Sequence, residues 1–294
     1  MRCLKHKLLF GGPATRFFSL SYAQGIRLLN VYAKMSFVLK YLIPSEIQLL
    51  REVHREVSPD LPLSEFVTQS LMSNLWVPWK EQMLMQNGLL NQYLQCEGDH
   101  LLQAALAEGN GVILTCTHTP LMKYIAYLPY LKGCEVTYLG HLKPHHLASL
   151  GDEKLAAAAS RAEGSDTAYL ALRTAQLYKA KACLKKGGVV ILFADDTEGR
   201  GGMNLPFFQR IRPFRPGLAA LALGCNAAIL PLSSSYLPNG MLSFKVKEAL
   251  LFNEMTETSL TEAYAAALRE EWAKNLQSFE WRALRKYLSF AKSR

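Results

Sequence analysis

Two short runs stand out from the rest of the chain because they are continuously apolar rather than alternating: Gly111-Val-Ile-Leu-Thr-Cys116 and Val189-Val-Ile-Leu-Phe193. Such runs predict buried strands in a sheet covered on both faces. Each is bounded by glycine at its start and stops at residues that carry chemistry. The first leads into Thr117-His118, after which Thr119 as N-cap and Pro120 at the first helical position predict a helix over about 120–131. The second follows a helix predicted over 167–186, basic at its end and capped by Gly187-Gly188, and runs into Ala194-Asp-Asp-Thr-Glu-Gly-Arg-Gly-Gly202.

The remaining pattern supplies further strands at Cys134–Leu139 and Ala227–Leu232, then a hairpin through Pro238-Asn239-Gly240 into Leu242–Lys247. Helical periods cover 26–42, 45–58, 61–95, 99–108, Pro216–Cys225 and about 256–279. Ser58-Pro59-Asp60-Leu61-Pro62 interrupts the second and third of these, and Trp76, Pro78 and Trp79 predict a kink within the third. Strands interleaved with helices predict an α/β fold, a mixed and mostly parallel central sheet flanked by helices, with a helical N-terminal extension. We divide the chain into a basic, apolar, membrane-associating segment over 1–45 and a single α/β domain over 46–294.

With 294 residues, half of them hydrophobic, the chain has enough apolar material for a large core. Its formal charge of +9 is concentrated at the ends: residues 1–45 hold seven Lys or Arg and residues 281–294 hold five, with no acid in either stretch. Basic ends around a near-neutral body predict attraction to an anionic surface, and the apolar company of the N-terminal end selects lipid over nucleic acid. Residues 26–42 are too often interrupted by Arg27, Lys34 and Lys40 to span a bilayer, so an interfacial helix is expected. The start, Met1–Phe10, has too short an apolar core for a cleaved secretory signal. Residues 217–244 lack any charge, yet Pro231, Ser233-Ser234-Ser235 and the Asn-Gly turn break them too often for a span.

Six scattered cysteines without a CxxC pair predict a reducing compartment and no structural zinc, with Cys116 an inward-facing strand cysteine. His141, His145 and His146 lack carboxylates or cysteines at ligand spacing and predict a polar loop rather than a metal site. The candidate chemistry therefore sits at the two strand ends. His118 is a candidate base. Asp195, Asp196 and Glu198 are candidate carboxylates, Gly199 lets backbone approach a ligand, and Arg200 offers a planar fork for phosphate or carboxylate. No Gly-x-Ser-x-Gly elbow suggests an acyl-serine enzyme.

These residues in this order resemble the lipid A biosynthesis acyltransferase family, the lauroyl/myristoyl acyltransferases within the wider lysophospholipid acyltransferase group. The likeness runs from about residue 50 to the C-terminus and is strongest over Lys185–Phe208, with its buried strand, acidic Gly-rich turn and Pro206-Phe-Phe element. Ala227–Pro231, Gly240 and Phe279-Glu-Trp281 fit the pattern as well.

The resemblance implies a membrane-associated enzyme that moves a fatty acyl chain from a carrier thioester, acyl-ACP or acyl-CoA, to a hydroxyl of a lipid or glycolipid acceptor. It implies no cofactor, no metal and a place on the cytoplasmic face of the (inner) membrane. In the family's His-x4-acid motif the histidine is the general base and the carboxylate orients its ring. Here His118 takes the histidine position, and the acid position is Lys123. At about 4 Å and an effective dielectric of about 20, a lysine would disfavour the imidazolium by about 4 kcal/mol, on the order of a thousandfold in rate.

Three arrangements reconcile Lys123 with the rest. Its side chain turns away and binds an anionic substrate group; Asp195, Asp196 or Glu198 supplies the carboxylate; or catalysis is lost and lipid or partner binding is kept. A second departure is Ser233-Ser234-Ser235, near a strand end where many relatives carry an arginine. The expected catalytic residues are His118, Asp195 and Glu198. The expected substrate-binding residues are Lys123, Asp196, Gly199, Arg200 and Pro206. The alternative is a catalytically impaired acyltransferase-like binding protein.

Overall fold

The two apolar runs are adjacent parallel strands in the interior of a six-stranded sheet. In the computed structural model the described residues are 21–34, 43–74, 90–128, 131, 133–139, 166–195, 202–250 and 255–292. Their helices are α1 (Tyr22–Lys34), α2 (Pro44–Val57), α3 (Leu63–Asn74), α4 (Leu90–Tyr93), α5 (Asp99–Ala107), α6 (Asp166–Lys185), α7 (Gly217–Cys225), α8 (Glu257–Asn275) and α9 (Trp281–Leu288). The strands are β1 (Leu94–Glu97), β2 (Val112–Cys116), β3 (Val136–Leu139), β4 (Val189–Phe193), β5 (Met203–Phe207), β6 (Arg210–Phe214), β7 (Ala228–Tyr236) and β8 (Leu242–Val246).

The sheet order is β1-β8-β7-β2-β4-β3, with β5 and β6 forming a separate antiparallel hairpin. Strands β7, β2, β4 and β3 run parallel, β8 turns back antiparallel to β7, and β1 pairs parallel with β8. The chain is α/β with a mixed, mostly parallel sheet flanked by helices, as its pattern predicts. Every residue of β2 is buried, as a strand covered on both faces requires.

Glycines set how closely the elements approach. A Cβ on Gly111 would stand 2.5 Å from the Leu184 carbonyl oxygen, and one on Gly188 would stand 2.6 Å from the Cys183 sulfur. Both central strands therefore start hard against the end of α6, which places their C-terminal ends level with one another.

Four elements differ from expectation. Residues 94–97, placed in the third helix by periodicity, form β1 because they pair with β8, Leu94 opposite Leu242. The helix expected after His118 is a 3-10 turn over Met122–Tyr127. Thr119 does not cap it, because its hydroxyl is held 2.7 Å from that of Ser234 on β7. Strand β7 runs through Ser233–Ser235 to Tyr236, four residues past its expected end. The last long helix stops at Asn275, and a 3-10 turn separates it from α9.

At the N-terminal side, α1 turns Tyr22, Ile26, Leu29 and Ala33 into the core. The Tyr22 hydroxyl donates to the Gly240 carbonyl at 2.9 Å and contacts the Tyr236 hydroxyl, while Asn30 donates to Pro238, so the helix is tied to the β7–β8 turn. Of the stretch read as interfacial, Ile26, Leu29 and Ala33 are thus docked on the domain. Arg27, Leu28, Val31 and Lys34 remain exposed on the opposite side. Among the described residues no helix is long and apolar enough to cross a membrane. Residues 35–42, the Trp76–Trp79 kink and His141, His145 and His146 lie outside the described residues.

Candidate active site

Strand register alone brings two of the candidate residues together. Cys116 at the end of β2 is paired with Phe193 at the end of β4. His118 and Asp195 each lie two residues beyond those ends, so they leave the sheet side by side at its C-terminal edge, where open α/β sheets place ligands.

The Asp195 carboxylate uses both oxygens on His118. Oδ2 accepts the His118 main-chain N–H at 2.7 Å, and Oδ1 lies 2.6 Å from ring Nδ1. With the carboxylate ionised, Nδ1 is the donor, and this tautomer puts the basic lone pair on Nε2. The His118 carbonyl in turn accepts the Glu280 N–H at 3.0 Å, just ahead of α9. The ring packs on Phe193 with centroids 5.6 Å apart.

Exposure divides the pair: the His118 side chain is 37% exposed and that of Asp195 2%. Burial pushes the Asp195 carboxyl up, but the His118 charge and hydrogen bond and the Arg212 guanidinium more than offset it, leaving the group below the usual carboxylate range. A buried carboxylate behind a half-exposed imidazole is the geometry of a general base and the group that orients it.

Arg212 on β6 is buried and donates to the Asp195 carbonyl at 2.5 Å. Its guanidinium carbon lies 4.8 Å from the ring centroid of Phe207, 5.1 Å from Phe214 and 5.6 Å from Trp272. On the other side of His118, Thr119 and Ser234 form a buried hydroxyl pair. Cys116 is buried and its thiol is pushed up chiefly by that burial, which leaves it protonated and packed inward rather than nucleophilic.

Pro206 is exposed on the β5–β6 hairpin, in register with Ile211. Lys123 falls in the 3-10 turn, and its side chain lies outside the described residues. Asp196, Glu198, Gly199 and Arg200 also lie outside the described residues.

Behind the strand end is a second polar cluster that the sequence does not announce. Glu271 of α8 accepts from the Ser233 hydroxyl at 2.6 Å, from Lys247 at 2.5 Å and from Asn275 at 3.0 Å. Beside it a cavity of about 20 Å³ is lined by Thr115, Thr117, Ser233, Tyr264 and Glu271 among others. That volume suits one water molecule, not an acyl chain.

Residues 71–285 match the model of the bacterial lipid A biosynthesis acyltransferase family. No curated protein sequence matches the chain.

Proposed function

Because the chain belongs to the bacterial lipid A biosynthesis acyltransferase family, we propose that it is an acyltransferase in which His118 and Asp195 form the base pair and a carrier thioester, acyl-ACP or acyl-CoA, acylates a lipid hydroxyl. The observation that carries this reading is the 2.6 Å contact between His118 Nδ1 and Asp195 Oδ1. It supplies from β4 the carboxylate that the position five residues after His118, Lys123, does not.

In this mechanism His118 Nε2 takes the proton of the acceptor hydroxyl as its oxygen attacks the thioester carbonyl. The C–O bond forms, the carbonyl electrons move onto oxygen, and a tetrahedral intermediate results. Collapse breaks the C–S bond, and the imidazolium returns the proton to the departing thiolate. Asp195 keeps Nδ1–H in place and stabilises the imidazolium between the two transfers.

Membrane association is part of the proposal. Arg27, Leu28, Val31 and Lys34 stand at i, i+1, i+4 and i+7 on the exposed side of α1, with Val31 55% exposed. A stripe of two aliphatic residues between two cations suits the interface of an anionic bilayer.

The test is acyl transfer by membranes containing the full chain, with labelled acyl-ACP and acyl-CoA and a mixed lipid acceptor, beside His118→Ala and Asp195→Asn. Transfer by the natural chain that is lost in both variants is the expected result. No transfer with either donor, while a family member run alongside accepts the same substrates, would instead leave a lipid- or partner-binding protein.

A further inference from the structure

Strand β6 buries two arginines on the same face, and they are held in different ways. Arg210 directs its fork at Glu56, with two contacts of 2.7 Å, and donates to the carbonyls of Leu288 and Phe290. Arg212, two residues on, is boxed by the rings of Phe207, Phe214 and Trp272 and reaches the main-chain carbonyl of Asp195.

A buried guanidinium is expensive to desolvate, and π faces return only part of that. A methionine or leucine would fill an aromatic box without the penalty. A cation has a use in that box because a buried anion lies next to it, in the turn that leaves β4.

We infer that Arg212 is a positioning residue of this site: it anchors the Asp195 turn through the carbonyl and balances the carboxylate that orients the His118 ring. Its catalytic consequence rests on the acyl-transfer reading; its electrostatic one does not. Among the described residues the groups around the carboxylate are few. Just past β2 it holds the ring and N–H of His118, while the Cys116 thiol on β2, Arg212 on β6 and the Tyr264 hydroxyl on α8 lie within its electrostatic reach, and burial and then Asp195 itself keep that hydroxyl protonated. Arg212 is the permanently charged cation of that set, whereas the charge on His118 comes and goes during the reaction.

The experiment follows the Asp195 carboxyl by ¹³C NMR in the purified full chain carrying labelled aspartate, across an acid titration, with thermal melting recorded for every variant. Arg212→Met removes charge and donor, Arg212→Gln removes charge and keeps a donor, and Arg212→Lys keeps charge and loses the fork. The neutral variants are expected to raise the Asp195 midpoint by about one pH unit or more, and the lysine variant to move it by less than about half of that.

An unmoved midpoint in a folded neutral variant overturns the inference, as does a lysine variant that shifts as far as the methionine one. Should neither neutral variant fold, His118→Ala decides, since truncating a half-exposed ring spares the core. With Arg212 as the remaining cation among the described residues, Asp195 then still titrates at or below the usual carboxylate range; a midpoint above that range, with burial unopposed, overturns the inference. In the transfer assay the acid limb of the pH–rate profile moves up in Arg212→Met. Absence of transfer by the natural chain would count against the acyltransferase alone, because the titration is read without turnover.

Discussion

Asp195 and Glu271 are both buried carboxylates with a nitrogen base against them, yet they are built for different ends. Glu271 is surrounded by donors on several sides, Ser233, Lys247 and Asn275, and sits about one turn from the C-terminal end of α8. Asp195 gives both oxygens to one residue, and that residue keeps more than a third of its side chain exposed. A carboxylate tied to several fixed donors holds elements together. A carboxylate that grips one imidazole, with the far edge of that ring reachable, sets a tautomer. Burial and charge alone do not separate the two cases; the number of residues each carboxylate binds does.

The comparison is broken most sharply by removing the imidazole or changing the tautomer. His118→Ala and Asp195→Asn are expected to lower the transfer rate by about 10²–10⁴-fold, measured as labelled product per folded enzyme. In Asp195→Asn the amide presents N–H groups to Nδ1 and drives the ring proton to Nε2, so the fold survives while the base is lost. An asparagine variant with natural turnover would show that the carboxylate has no orienting role.

Glu271→Ala is expected to do the reverse. It leaves Ser233, Asn275 and a partly buried lysine without their acceptor and lowers stability by about 2–4 kcal/mol, read from urea unfolding, while the folded fraction turns over normally. A loss of turnover without a loss of stability would move Glu271 into the site.

Acid separates the structural and site carboxylates more gently. Glu56 is held below the usual carboxylate range by its hydrogen bonds to Arg210, against a smaller opposing effect of burial, and Asp195 lies below that range for the reasons given above. For a depressed carboxylate the stabilisation is fully present above its unfolded value and is lost as pH falls through the lower folded value. Stability is therefore expected to decline with acid only from the ordinary carboxylate range downward, and Asp195→Asn to flatten that decline. Equal acid slopes for the two chains would refute the assignment.

The smallest effect is expected at the surface. Lys274 and Glu270 pair on α8 with more than half of each side chain exposed, and Lys274→Ala should melt with the natural protein. A clear drop in midpoint would mean that exposure is a poor guide here.

The two strands and the positions of His118 and Asp195 at their ends were readable because continuous apolar runs and flanking glycines are strong signals. What their pairing does with His118 was not readable from spacing, because 72 residues separate the end of β2 from the start of β4. Contact followed from parallel register. Arg212 was hidden by its own pattern: in Arg210-Ile-Arg-Pro-Phe214 a period-two reading puts isoleucine inside and arginine out, but the opposite face is buried. Phe214 and the Glu56 pair decide which way the strand turns. Glu271 sits beside another glutamate in Arg269-Glu-Glu-Trp272, which reads as a solvated face, and no local feature marks the second acid as the buried one. Thr119 and Pro120 were good helix-start signals that tertiary contact overrode, since a hydroxyl engaged with Ser234 does not cap.

The paired overhang of two residues past Cys116 and past Phe193 also says how such a chain tolerates length change. What fixes His118 relative to Asp195 is the register of β2 on β4, not the number of residues between them. One residue added between Cys116 and His118 would carry the imidazole past its partner, together with the buried Thr119 and Leu121 that follow it. The site is addressed by counting from the sheet, so engineers can treat the two dipeptides, Thr117-His118 and Ala194-Asp195, as the coordinates to hold fixed, with β3 and α6 kept as parts of the frame they are counted from.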